Sequence, residues 1–409
     1  MPEFFNVQPV QAALDRLLSY WKPQLRTETA DPRQALGRVL AAEVYSPLDL
    51  PTFPRSTVDG YAVRAADTFG ASQSLPAYLI CTGIIPMGAA AEMALRSGQA
   101  IEIHTGGMLP PGADAVVMVE KTQPYSDHEI EVLAPVAPGE NVIQVGEDVD
   151  RGEIILPAGH TLRPQDIGGL LAVGLLEIEL VTPPRVGILS CGDELVTPEE
   201  NPASGQIRDI NAHILASMIE EAGGEPVLLG IARDTLDDYL AHAQAGFHQV
   251  DMLVMTAGSS VSTRDLTRQV IETLGKPGVL QHGLAVKPGK PTILAVCENK
   301  PVIGLPGNPV SAMLVARQIL IPLIHHAVGK TLKPIATIRA ILTRNLASTT
   351  GREDTIPVKL TAKERGWLAE PVFGKSNLIY TLIRADGLVS VPLNSNGILA
   401  GTEVEVFLL

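Results

Sequence analysis

Residues 251–267 read DMLVMTAGSSVSTRDLT, residues 282–296 read HGLAVKPGKPTILAV, and residues 301–318 read PVIGLPGNPVSAMLVARQ. In each, a short apolar run gives way to a loop of Gly, Pro, Ser, Thr, Asn, Lys or Asp. That is how an α/β protein sets polar groups along the carboxyl edge of a parallel sheet, where ligands bind. The last loop predicts a helix. Asn308 stands at the N-cap, Pro309 at the first helical position, and Val310, Met313 and Leu314 begin an apolar face. Free backbone donors at such a start favour an anion. Lys287 and Lys290, in the KPGKP turn, add positive charge, and Asp265 adds a carboxylate for a metal or a water. Cations, donors and an acid at strand ends point to an oxyanion or phosphate ligand.

Outward from this stretch the same alternation continues. RVGILSC, PVLLGIA, PTILAVC and PVIGL read as further strands, and NAHILASMIEEAG, DTLDDYLAHAQAGF and RDLTRQVIETLG as helices. Residues 184–328 are therefore expected to form an α/β domain with a doubly wound, mostly parallel sheet. Upstream, residues 8–21 predict a helix with Val10, Leu14, Leu17 and Leu18 inward. Asp31-Pro32 predicts the start of a second, running to Val44. Short strands separated by Gly, Pro and Asp fill residues 75–145. The expected layout is an elongated N-terminal support domain from 1–45 and 146–180, with a β-domain inserted at 46–145. Residues 329–409, all short β-rich runs, predict a C-terminal β-barrel or sandwich.

Composition narrows the function. The chain has 409 residues, 45% hydrophobic and 19% charged, with a net charge of −14. This is a globular composition, and the acidic balance disfavours non-specific nucleic-acid binding. Aromatics at 4% are too few for a base-stacking surface. No uninterrupted apolar run approaches the roughly 20 residues of a membrane span. The N-terminal residues lack a basic segment followed by an apolar one, so a cytoplasmic protein is expected. Cys81, Cys191 and Cys297 are too far apart for a CxxC zinc site or a disulfide framework.

The sheet topology brings together loops that are separate in sequence. Glu194 follows the first strand, Asp234 the second and Asp265 the third, while Lys287 and Lys290 precede a fourth and Asn308 follows a fifth. Alone, each has a plainer reading: Asp193 or Asp234 as a helix cap, Lys290 as a solvated turn residue, Asp59 as half of an Asp-Gly turn. Together they predict an anion and metal site. Mg²⁺ shared between acid side chains and phosphate oxygens fits that set. GxxxxGK[ST], GxGxxG after a strand, GxSxG and HExxH are all missing, which removes P-loop, dinucleotide, serine-hydrolase and zincin readings. Thr105-Gly106-Gly107 exposes backbone at a strand end, and the proline-rich loop around Asp59 is stiff.

At these residues the chain resembles the MoeA or gephyrin E-domain family of molybdopterin molybdenumtransferases. FPRSTVDGYAVRAAD (53–67), IEIHTGGMLPPGADAVVMVE (101–120), VGEDV (145–149), ILSCGDEL (188–195), GQIRDINAHIL (205–215), LAVKPGKP (284–291) and LPGNPVSAML (305–314) follow in family order. The resemblance implies a homodimer with its active cleft at the subunit interface, between the α/β domain of one subunit and the inserted domain of the other. It implies insertion of molybdate into adenylylated molybdopterin with release of AMP, dependent on Mg²⁺. Hand-over of the product to other proteins of molybdenum cofactor biosynthesis is implied as well.

By the same resemblance the catalytic set is Asp59, Asp148, Glu194, Asp234, Asp265 and Lys287. Thr105, Gly258, Ser260, Lys290, Pro306, Gly307, Asn308 and Pro309 would bind substrate. Glu194, Asp234 and Asp265 would hold the metal, and Asp59 and Thr105 would reach in from the partner subunit. TAGSSVSTRD departs from the family's SGGVSVGxxD: Ala257 and Ser262 stand where glycines are usual, while Gly258, Ser260 and Asp265 remain. Arg208 replaces an aromatic, and Gly283 a basic residue found in some members. Tungstate insertion, a scaffold role without turnover and molybdopterin adenylylation are the alternative activities.

Overall fold

The computed structural model describes residues 7–257, 261–331, 335–364 and 366–409, with the backbone alone for 261–265. Its centre is a six-stranded sheet in the order 225–232, 185–191, 252–257, 300–306, 293–297, 277–282. The first four strands are mutually parallel. Ile293–Cys297 runs antiparallel to Lys300–Pro306, through a tight turn with Glu298 and Asn299 at positive φ. The edge strand Pro277–His282 was not anticipated, because GKPGVLQH shows neither alternation nor a continuous apolar run.

Side chains alternate between the two faces of this sheet. Val186, Ile188, Met252, Val254, Ile303 and Leu305 pack with helices 211–221 and 309–327 in one apolar cluster. Leu189, Leu253, Met255, Ile293 and Ala295 pack with helices 236–247 and 261–274 in the other. Period-two strands buried on both faces need a helical layer on each, which is the doubly wound arrangement. The N-terminal helix Val10–Tyr20 joins the first cluster through Ala13, Leu14 and Leu17. It therefore packs on the α/β core, although its sequence position had placed it with the support elements.

Helix Pro309–Ala327 spans 19 residues and is apolar enough to cross a membrane by length and composition. Its apolar character serves the core instead, where Val315, Ile319, Leu320 and Leu323 are fully buried. Within it, Ala316–Leu320 widens into a π-turn just before Pro322. A proline ring clashes with the carbonyl four residues back and supplies no N–H, which loosens that turn.

Around the core lie three smaller units. Residues 27–45 and 154–181 pair Thr27–Ala30 with Ile178–Val181 and share a core of Leu40, Leu156, Leu162 and Leu170. The helix expected over 32–44 is only a 3₁₀ turn, Pro32–Gln34. Asp31 caps it by accepting the Arg33 N–H at 2.8 Å. Gly37, at φ 77°, turns the chain away, and Val39 and Leu40 bridge Thr161 and Leu180. A six-stranded sheet between residues 60 and 132 forms the inserted unit. In the C-terminal unit strands 353–363, 366–371, 337–342, 403–408 and 387–391 are successive neighbours, and 387–391 returns to 353–363, closing a barrel.

Candidate active site

The register of the central sheet sets the site. Cys191 pairs with Ala232 on one side and Ala257 on the other, and Ala257 pairs with Pro306. Four parallel strands thus end in one row, and the loops that follow share a single edge. The chain order reverses between 185–191 and 252–257, the switch point at which such sheets open a crevice.

Two of the expected acids, Asp234 and Glu194, lie around Cys191 at this edge. Asp234 accepts the Cys191 S–H at 3.3 Å, and its own N–H donates to Asp193 at 3.3 Å. Thr235, not Asp234, occupies the N-cap of helix 236–247, so the Asp234 carboxylate is not spent on capping. Burial, then the hydrogen bond to Asp234 and the charges of Asp193 and Glu194, push the Cys191 thiol far up. Cys191 is therefore held as a thiol, its one S–H within reach of both Asp234 and the Arg233 carbonyl, which lies at 3.4 Å. Glu194 folds back close over Gly192, where a Cβ would meet its Oε2 at 2.5 Å. Gly258 and Ser260 lie outside the described residues. Asp265 falls in helix 261–274, with its side chain also outside them. Among the described residues no three His, Cys, Asp or Glu side chains are placed to hold a metal ion.

Further along the same edge, Pro306 and Asn308 open onto a cleft of about 870 Å³ between the α/β domain and the barrel. That lies within the roughly 300–1,000 Å³ of small-molecule sites. Lys287 and Lys290 line it. Val286–Lys287 forms a two-residue strand that adds in parallel to the barrel strand at Glu353–Asp354. Gly289, at φ 110°, presses the KPGKP turn onto helix 309–315: a Cβ there would lie 2.3 Å from Val315 Cγ2. Both constraints require glycine.

The helix start at Asn308 works differently from the expectation. Asn308 occupies the N-cap position without a side-chain cap, and its Nδ2 donates to Ser376 Oγ at 3.0 Å. Pro309 has no N–H, and the Val310 N–H donates to the Ser376 carbonyl at 3.1 Å. The barrel domain thus takes the donor that an anion was expected to use. Gly307 is held from the other side, its carbonyl accepting Asn211 Nδ2 at 2.8 Å.

Three barrel residues in the cleft, Arg352, Asp354 and Ser376, lie outside the expected set. Asp354 is only 3% exposed and lies 2.9 Å from Arg352 Nε and 3.9 Å from Lys287 Nζ. Its signal was faint: R-x-D in a β-rich run, with a buried acid that needs a cation nearby.

Asp59 and Thr105 meet in the inserted domain. The Asp59 carboxylate accepts the Thr105 N–H at 2.8 Å and its hydroxyl at 3.2 Å, with His104 Nδ1 at 3.6 Å. The Thr105 N–H, foremost, holds the Asp59 carboxyl below the usual carboxylate range. Asp148 is exposed on the loop that bridges Leu50 and Val149, its N–H donating to the Leu50 carbonyl at 3.0 Å. Arg208 donates to the Pro198 carbonyl at 2.9 Å.

Known proteins match this arrangement from end to end. Residues 8–174 match the MoeA N-terminal region (domain I and II), 187–326 the probable molybdopterin binding domain, and 339–409 the MoeA C-terminal region (domain IV). The molybdopterin molybdenumtransferase of Haemophilus influenzae is 32% identical over 384 residues, covering 93% of each chain. That of Bacillus subtilis is 32% identical over 98% of this chain and 94% of its own. A crystal structure of the molybdopterin biosynthesis MoeA protein from Pyrococcus horikoshii OT3 gives a TM-score of 0.86 at 32% identity. It covers 99% of this chain and 100% of that one. The three-layer α/β core, the closed barrel and the two-part N-terminal region all have counterparts there, and the chain belongs to the MoeA family.

Proposed function

We propose that this protein is a molybdopterin molybdenumtransferase, inserting molybdate into adenylylated molybdopterin and releasing AMP. The relatives that carry this name are matched over nearly the whole chain, which supports the activity. The observation that carries the reading is the single sheet edge that joins the Cys191–Asp234 carboxylate cluster to a cleft holding Lys287, Lys290 and Arg352. A cationic cleft suits the phosphates of the substrate, and the neighbouring acids suit work on a phosphoanhydride.

Lys287 and Arg352, both set against the buried Asp354, orient the phosphate oxygens and offset their charge. Asp234, Glu194 and Asp265 would supply hard oxygen donors of the kind Mg²⁺ takes together with substrate phosphates. Bound there, Mg²⁺ would polarise the phosphoanhydride. Asp59 and Thr105 of a second copy would complete the cleft in a homodimer.

Full-length protein incubated with adenylylated molybdopterin should release AMP only when molybdate is present, and faster with Mg²⁺. Consumption of ATP with no molybdate-dependent AMP would sink the reading and favour adenylylation. Tungstate in parallel determines which oxyanion is inserted.

A further inference from the structure

Phe373 is a large aromatic side chain, 58% exposed, on the wall of the cleft. One face of its ring is occupied, because the Arg344 guanidinium carbon lies 5.2 Å from the ring centroid. Arg344 is not among the described residues that line the cleft. The cation takes one face of the ring, steadies it, and leaves the other face for a ligand. The same cleft offers apolar surface from Val372, Ile356 and Leu346 beside the cations of Lys287, Lys290 and Arg352. A purely anionic ligand would use only the second group. An exposed phenyl ring braced on one face is suited to a flat ring on the other.

We infer that Phe373, backed by Arg344, is the stacking platform for the planar nitrogen heterocycle of a phosphate-bearing substrate, its pterin or its purine. The inference rests on the proposed reading of the cleft and adds what that reading leaves unassigned: where the ring lies. Stacking on an aromatic side chain tolerates any flat heterocycle, so the shared chemistry is fixed by the platform and the choice of ring is open to measurement.

The test is calorimetric titration of the full-length protein with AMP, with a pterin bearing a 6-alkyl phosphate, and with ribose 5-phosphate as the ringless control. Phe373→Leu should weaken a ring-bearing probe by about 5- to 150-fold and leave ribose 5-phosphate unchanged. Phe373→Trp should keep the affinity, and its added indole emission should be quenched on binding. Sensitivity of AMP alone assigns the purine to the platform, and sensitivity of the pterin alone assigns the pterin. If Phe373→Leu binds both ring probes as wild type does while Lys287→Ala weakens them, the platform is overturned and the phosphate reading stands. If neither substitution changes any affinity, or if wild type binds no probe, both readings fall.

Discussion

Asp59 shows what one residue can reveal. Its side chain is 63% exposed, yet the Thr105 N–H and hydroxyl converge on one oxygen. A carboxylate so held in the open contributes little to the fold and is preorganised for something outside it. Asp59→Asn should lower the rate of AMP release by about 100-fold or more and leave the thermal midpoint unchanged. Thr105→Val keeps the N–H donor and should cost only a few-fold, roughly one lost hydrogen bond. Because the folded carboxyl titrates below its ordinary range, acid should not erode the Asp59 contribution until the pH passes beneath about 4. Asp354 is the opposite case, a buried acid between Arg352 and Lys287. Asp354→Ala leaves the partly exposed Arg352 without its partner and should destabilise the barrel by about 1–3 kcal/mol, measurable by denaturant unfolding. Lys287 and Asn308 line the cleft, and residue type and local loop chemistry announced them. Arg352, Asp354 and Ser376 were not, because they reach the cleft only through long-range contacts: the pairing of 286–287 with 353–354, and the bonds of Ser376 to Asn308 and Val310.

At the scale of elements, local signals were read well where local forces decide. The strands at 185–191, 252–257 and 300–306 and the helix after Pro309 stand where their periodicity places them. Capping chemistry alone misled. Asp31 does cap a turn, yet Leu40 is worth more to the core as a bridge to Leu180 than as part of a helix. The Asn308–Pro309 start likewise forms, but its next N–H is claimed by Ser376 of another domain.

Helix Pro164–Ala172 carries a cap that can be tested by pH. Arg163 and His160 converge on Asp166 at 2.7–2.9 Å, and the Arg163 guanidinium, first among the causes, holds the Asp166 carboxyl well down. A carboxyl depressed in the folded state stabilises above its unfolded pKa of about 3.9 and loses that contribution as the pH falls further. Asp166→Asn should therefore cost about 2–3 kcal/mol near neutrality. The gap in thermal midpoint from wild type should narrow steadily between pH 5 and pH 2.5. A gap that stays constant across that range would remove the charge from the explanation.

For the whole molecule, the question is how many copies make one site. Asp59 and Thr105 belong to the inserted domain, and among the described residues the Asp59 carboxylate has Thr105 and His104 as its partners. The strand-end acids and the cationic cleft belong to the α/β domain and the barrel. Asp59 and the cleft lysines are exposed, Asp234 and Glu194 half-buried, and each group alone is half of the proposed constellation. Sharing between copies makes a quantitative prediction that sharing within one chain does not. Asp59→Asn spoils the inserted-domain half, and Asp234→Asn spoils the strand-end half. Each variant alone should be inactive. Unfolded and refolded together in equal amounts, they should assort randomly, so that about half of the dimers carry one of each chain. In such a dimer one cleft receives both intact halves and the other receives neither. About a quarter of wild-type activity should return, in a species that sedimentation shows to be a dimer. A site built within one chain would leave every cleft with one damaged half, and the mixture would stay as inactive as its parts.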